Sequence, residues 1–284
     1  MYRKLFPVIL LFGSLFYSCD EGSVSTQQFN SKRSENYADT SQGKSMVYLN
    51  YKLPLPFDIY KQVKNSKFKY DKAYLLGYRN LGKYFTEEKM ALALGVYSSD
   101  LVYSAIYNKS QEVIEYLNAS GELAGKLEIS EGYDNKMVDR ASRNIDDNDS
   151  INKLAREAYW RTCNYLEKNN KTYVLPLIIL GSWIESVHVL VNTSIGTKTE
   201  DGLYKDIYLQ KEVVSNLTAY FNDAILKEEN PQYKLSLTNW LGKLQKVKTD
   251  FDLIINEDVN KIDMEQLKKI IVTLEELRSE IVMI

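Results

Sequence analysis

The sequence predicts an all-α fold, a multi-helix bundle of about nine to ten helices, and three observations point there. Apolar residues recur at spacings of three and four through most of the chain beyond residue 55. No segment alternates apolar and polar residues as a half-buried strand does, and Asp201-Gly202 lies between helical patterns instead of between β-branched runs. Punctuation is also scarce: 284 residues hold 13 glycines and 5 prolines, which leaves long uninterrupted segments and excludes collagen-like or low-complexity chains.

The elements follow in order. Leu53-Pro54-Leu55-Pro56 is an extended hinge where the body begins. Phe57 to Lys64 reads as a short helix, and Tyr70 to Leu81 as another, weakened by Gly77. Thr86 is an N-cap with Glu87 and Glu88 in the first turn, opening a helix to about Asn108. Ser110 caps the next, to about Leu127; Asp134 opens another, to about Asn144; Ser150 caps one reaching about Lys168. Further helices cover roughly 173–194, 203–228, 232–256 and 263–283, with Pro231 suited to a first turn. In the last helix Leu267, Ile270, Leu274, Leu277, Ile281 and Ile284 form a stripe matched by Leu237, Leu241, Leu244, Phe251 and Ile255. Two such stripes predict an antiparallel helical hairpin packed into the bundle.

Two segments are apolar on every side, Met90 to Ile106 and Tyr173 to Val191, as central helices are. The second is long enough for a membrane span, but Pro176, Glu185 and His188 speak for a buried core helix. Leu94-Gly95-Val96-Tyr97 aligns with Leu180-Gly181-Ser182-Trp183 at an offset of 86 residues. The match suggests two related helical halves packing through glycine, although four positions also match by chance.

Composition excludes several functions. Lys plus Arg is 36 and Asp plus Glu 38, for a net charge of -2 with no block of like charge. That lacks the footprint of a nucleic-acid binder, and no nucleic-acid partner is expected. A single histidine, His188, removes zinc-protease, bis-histidine haem and di-iron sites, and two cysteines make neither a Cys-rich zinc site nor an iron–sulfur cluster. No P-loop, dinucleotide fingerprint or G-x-S-x-G elbow occurs. No metal and no cofactor is expected. Cys163, in a helix-like run, reads as a packed, inert thiol. Asp146-Asp147-Asn148-Asp149 reads as a solvated turn, since a calcium loop needs a central Gly and a terminal Glu that are missing. The 22 tyrosines fall mostly on helical stripes, where packing accounts for them.

The amino terminus reads as an address. Arg3 and Lys4 precede the apolar run Leu5 to Tyr17, too short to cross a bilayer, which ends Leu15-Phe16-Tyr17-Ser18-Cys19. This ending resembles the lipobox of bacterial lipoproteins, in the relaxed form of Bacteroidota, and the chain as a whole resembles an all-helical Bacteroidota lipoprotein. The resemblance implies a signal peptide over 1–18 and diacylation of Cys19, which becomes the mature amino terminus and ties the protein to a membrane without spanning it. Asp20 and Glu21 resemble a Bacteroidota lipoprotein export signal, whereas in enteric bacteria Asp in that place resembles an inner-membrane retention signal. The lipobox style favours the outer membrane, with the periplasmic or surface-exposed side open. Residues 19–54 are the lipidated terminus and a flexible linker rich in Ser, Gln, Asn and Thr, and 55–284 a single helical domain.

Candidate chemistry lies where polar residues interrupt the central helices. Tyr97, Asp100, Trp183, Glu185 and His188 are candidates for one ligand-binding cleft, with Glu185 and His188 sharing a helix face. The competing reading is an internal hydrogen-bond network that fixes helix register. Asp149-Ser150-Ile151 resembles a Bacteroidota O-glycosylation site, with Ser150 as the acceptor. The expected role is non-enzymatic binding or scaffolding of an unknown protein or small-molecule ligand. The alternatives are an envelope enzyme using Asp100, Glu185 and His188 as acid–base groups, or a subunit of a membrane complex.

Overall fold

A computed structural model describes residues 50–53, 55–79, 81–130, 133, 135–171, 173–194, 203–254 and 263–282. The leader, Cys19, Asp20, Glu21, the linker up to residue 49, and the stripe residues Ile255 and Ile284 lie outside the described residues. Within them the chain is all-α, with nine helices: α1 Pro56–Asn65, α2 Glu87–Ile106, α3 Ser110–Lys126, α4 Asn135–Arg143, α5 Asn148–Lys168, α6 Val174–Ser194, α7 Leu203–Lys227, α8 Pro231–Asp252 and α9 Met264–Val282.

The caps show why these segments are helices. Thr86 accepts the Lys89 N–H at 3.2 Å at the start of α2, and Asn230 accepts from Gln232 and Tyr233 ahead of Pro231. Two expected caps differ. Asp147 caps α5, its Oδ1 accepting the N–H groups of Asp149 and Ser150 at 3.1 Å, so Ser150 sits inside the first turn. The N-cap of α3 is Lys109, with no side-chain bond, and Ser110 is the first helical residue. The expected helix over Tyr70–Leu81 does not form. The segment between α1 and α2 is instead a strap with two 3₁₀ turns, Lys72–Tyr74 and Leu81–Lys83. Its backbone is bonded by side chains of the bundle: Tyr97, Tyr107 and Tyr116 donate to the carbonyls of Gly77, Phe68 and Leu76. Tyr103 accepts the Asp71 N–H. Backbone groups satisfied this way no longer need helical partners.

Helices α2 and α6 form the centre. Every residue of α2 from Ala91 to Ile106 is buried, and α6 is buried along almost its whole length. The α6 span Val174–Ser194 has mean hydropathy 1.9, enough for a membrane helix by length and composition, yet its apolar window is wholly enclosed by the bundle. The two helices meet through the expected glycines. A Cβ on Gly95 would lie 2.1 Å from the Ile178 carbonyl oxygen, and one on Gly181 would lie 2.1 Å from that of Leu92. The contact is reciprocal: Leu92 and Ile178 are separated by the same 86 residues as the glycines.

The neighbours repeat as well. Helix α1 packs on α2, α6 and α7, and α5 packs on the corresponding α6, α2 and α3 and, in addition, on α4. Helix α3 lies on α2 and carries α4, as α7 lies on α6 and carries α8. The two runs of four helices thus share part of their packing pattern. Helix α9 has no counterpart; it packs on α6 and α8 and touches α2. The expected hairpin is present, with Leu237, Leu241, Leu244 and Phe251 of α8 and Leu267, Ile270, Leu274, Leu277 and Ile281 of α9 all buried.

A buried acid cluster as candidate functional site

Asp100 comes from the middle of α2 and Glu185 from the middle of α6, one turn beyond the glycine crossing. Both are fully buried. Helix α9 supplies the countercharge. Arg278 Nε donates to Glu185 Oε2 at 2.6 Å and its second nitrogen to Oε1 at 2.8 Å, a bidentate pair. The same guanidinium donates to the Tyr74 carbonyl in the strap at 3.1 Å. Asp100 Oδ2 accepts the Leu76 N–H, also in the strap, at 3.0 Å.

One cation cannot balance two carboxylates. Burial first, and then the neighbouring Glu185 charge, push the Asp100 carboxyl well above its ordinary range, with Arg278 opposing. The site therefore favours the protonated form of Asp100. Its Oδ1 meets no hydrogen-bond donor, which fits a carboxyl that keeps its proton. The same surroundings raise the phenol of Tyr97, chiefly by burial. Tyr97 donates to the Gly77 carbonyl at 3.0 Å and meets Tyr84 edge to face at 6.2 Å. Alongside runs a hydroxyl chain, Tyr60 to Ser99 at 2.6 Å and Ser99 to Ser186 at 2.9 Å, which joins α1, α2 and α6.

His188 lies one turn beyond Glu185 and reaches α9 through a different residue. Its Nδ1 is 2.5 Å from Glu275 Oε1, which also accepts from Asn192 at 3.0 Å. The imidazole contact holds the Glu275 carboxyl below its usual range, against the opposing effect of burial. Trp183 occupies another face of α6, where its Nε1 donates to Gln210 of α7 at 3.1 Å. With Ser182 and Ser186 it borders a void of about 10 Å³, room for one water. The Ser182 hydroxyl has no hydrogen-bond partner within the protein.

Of the five sequence candidates, Tyr97, Asp100 and Glu185 converge, His188 joins them along α9, and Trp183 is elsewhere. Neither that void nor a surface hollow of about 420 Å³ beside Gly121 and Tyr133 is lined by Asp100, Glu185 or His188. Sequence reasoning missed Arg278, Glu275 and the strap. The signal for Arg278 was present: Ile270, Leu274 and Arg278 are spaced by four, so the arginine continues the buried row of α9. Ser150 is half-buried in the first turn of α5, and Cys163 is buried. Chemically, the cluster is a sealed acid pair with one countercharge, fitted to clamp α2, α6, α9 and the strap together. The chain matches no family model, no curated protein and no solved structure.

Proposed function

We propose that the chain is a lipid-anchored envelope protein, tethered through Cys19, whose helical bundle serves as a non-enzymatic binding or scaffold module. The observation behind the non-enzymatic part is the complete burial of Asp100 and Glu185. A general acid or base must reach its substrate within hydrogen-bond distance. Here the acids are engaged by Arg278, Leu76 and each other. The lipid-anchored part rests on the run ending Ser18-Cys19, followed by Asp20-Glu21 and a polar segment long enough to hold the body off a bilayer. Ser150 remains the candidate acceptor for O-glycosylation in such an exported chain.

Metabolic labelling with palmitate, together with membrane fractionation, tests the anchor. The native chain incorporates label and sediments with membranes, whereas Cys19→Ala does neither. Membrane association unchanged in Cys19→Ala would overturn the lipoprotein reading. Protease treatment of intact cells then assigns the side: digestion places the bundle outside, and protection until lysis places it in the periplasm.

A further inference from the structure

The described body carries a strongly biased surface that the acid cluster does not use. From Lys61 to Lys83 the chain holds seven cations and one acid, Asp71, in a protein of net charge -2. No two of these cations are adjacent, so a search for contiguous like charge passes over them. The fold places several of them around the end of α1, the strap and the C-terminal end of α2, whereas Lys83 lies apart, bonded to the Val282 carbonyl. Lys64 bonds the Ile106 carbonyl and lies 5.8 Å from the Tyr107 ring centre. Lys109 lies 5.1 Å from the Tyr70 ring centre, and the two rings are 5.8 Å apart. Lys67 and Lys69, both exposed, fall between Lys64 and Tyr70 in the chain. Farther along the strap, Lys72 and Arg79 both sit over Tyr78, at 5.6 and 6.0 Å. Two acids lie beside them, the exposed Asp71 in the strap and Glu112, 3.5 Å from Lys72.

The rings matter because a tyrosine face holds a cation without neutralising it. The positions are fixed while the charge stays available to a partner. We propose that this basic, tyrosine-studded face docks the bundle onto a phosphate-bearing membrane surface. The location favours a bilayer over a soluble polyanion. The face begins at the end of α1, close in sequence to the polar segment of about thirty residues that follows Cys19. An acylated protein would keep this face within reach of headgroups, where a weak electrostatic contact is amplified by proximity. This placement rests on the lipid-anchor reading; the charge distribution does not.

The test uses the chain from Asp20 onward, which keeps the whole described bundle and lacks both leader and acylated cysteine. Failure of the anchor therefore cannot be mistaken for failure of the face. Sedimentation with phosphatidylcholine vesicles, with and without a third of phosphatidylglycerol, is compared at low and high salt. The expected result is binding to the anionic vesicles alone, abolished by salt. Each cation near a charged bilayer contributes about fivefold in partitioning. The triple variant Lys67→Gln, Lys69→Gln, Arg79→Gln, with an unchanged circular dichroism spectrum, therefore loses about a hundredfold. Equal affinity for both vesicle types, no binding to either, or an undiminished triple variant would overturn the proposal. Binding to heparin or an oligonucleotide without vesicle binding would overturn it too, and would assign the face to a soluble polyanion.

Discussion

The fold pushes the Asp100 carboxyl well above its ordinary range, and that has a measurable consequence. The unfolded residue ionises at about pH 4, whereas in the fold its ionisation is displaced well upward by burial and by Glu185. Between those two values the folded state holds a proton that the unfolded chain has released. Stability conferred at this site therefore falls as pH rises through that window. Asp100→Asn keeps the shape, accepts from Leu76 through its carbonyl and donates to Glu185 through its amide, with no proton to lose. The variant should gain on the native chain as pH is raised, read as urea midpoints from about pH 5 to about pH 8. A difference that does not change with pH would mean that Asp100 is ionised in the fold. Arg278 carries the opposite expectation. Its removal strands Glu185 in a site without water, and breaking a buried ion pair from one side costs about 3–5 kcal/mol. Arg278→Gln should therefore lower the urea midpoint steeply, whereas a drop like that of a surface substitution would show Glu185 relieved by water or a proton.

At the scale of elements, the crossing of α2 and α6 sets how closely the acids approach. Gly95 and Gly181 each face a carbonyl oxygen of the other helix at a distance no Cβ tolerates. That neighbour is backbone, so a methyl group must push the helices apart. Gly95→Ala and Gly181→Ala should each cost about 3 kcal/mol or more, at the upper end of overpacking. Once one methyl has separated the helices, the second meets less resistance, so the double variant should cost clearly less than the sum of the singles. Additive losses in a double-mutant cycle would show that the two positions yield independently. This crossing was legible in the sequence, because glycines inside two all-apolar helices have few other uses. So were the helices themselves, since spacing and caps are local. The strap was not: Tyr70–Leu81 has enough apolar spacing for a helix, and what defeats it are hydroxyls arriving from Tyr97, Tyr107 and Tyr116, dozens of positions away. The cluster was half legible for the same reason. Asp100 and Glu185 stand out against apolar neighbours, but nothing local to α9 says which helix Arg278 will meet.

At the scale of the molecule, the exchange of neighbours between the two halves decides how the bundle unfolds. Helix α1 belongs by sequence to the first half, yet packs on α6 and α7; α5 belongs to the second, yet packs on α2 and α3. Each half therefore shares its first helix with the other, and α9 holds α6 from one side through Arg278 and Glu275. Neither half has a closed core of its own, so the two should unfold as one cooperative unit. The three tryptophans, Trp160, Trp183 and Trp240, all lie in the second half. Tryptophan fluorescence therefore reports that half alone, while far-UV circular dichroism reports helices throughout. In urea the two signals should trace one coincident transition. If the dichroism fell in two steps and fluorescence followed only one, the halves would be independent domains that merely touch. The crossed packing of α1 and α5 would then contribute little to the stability of either half.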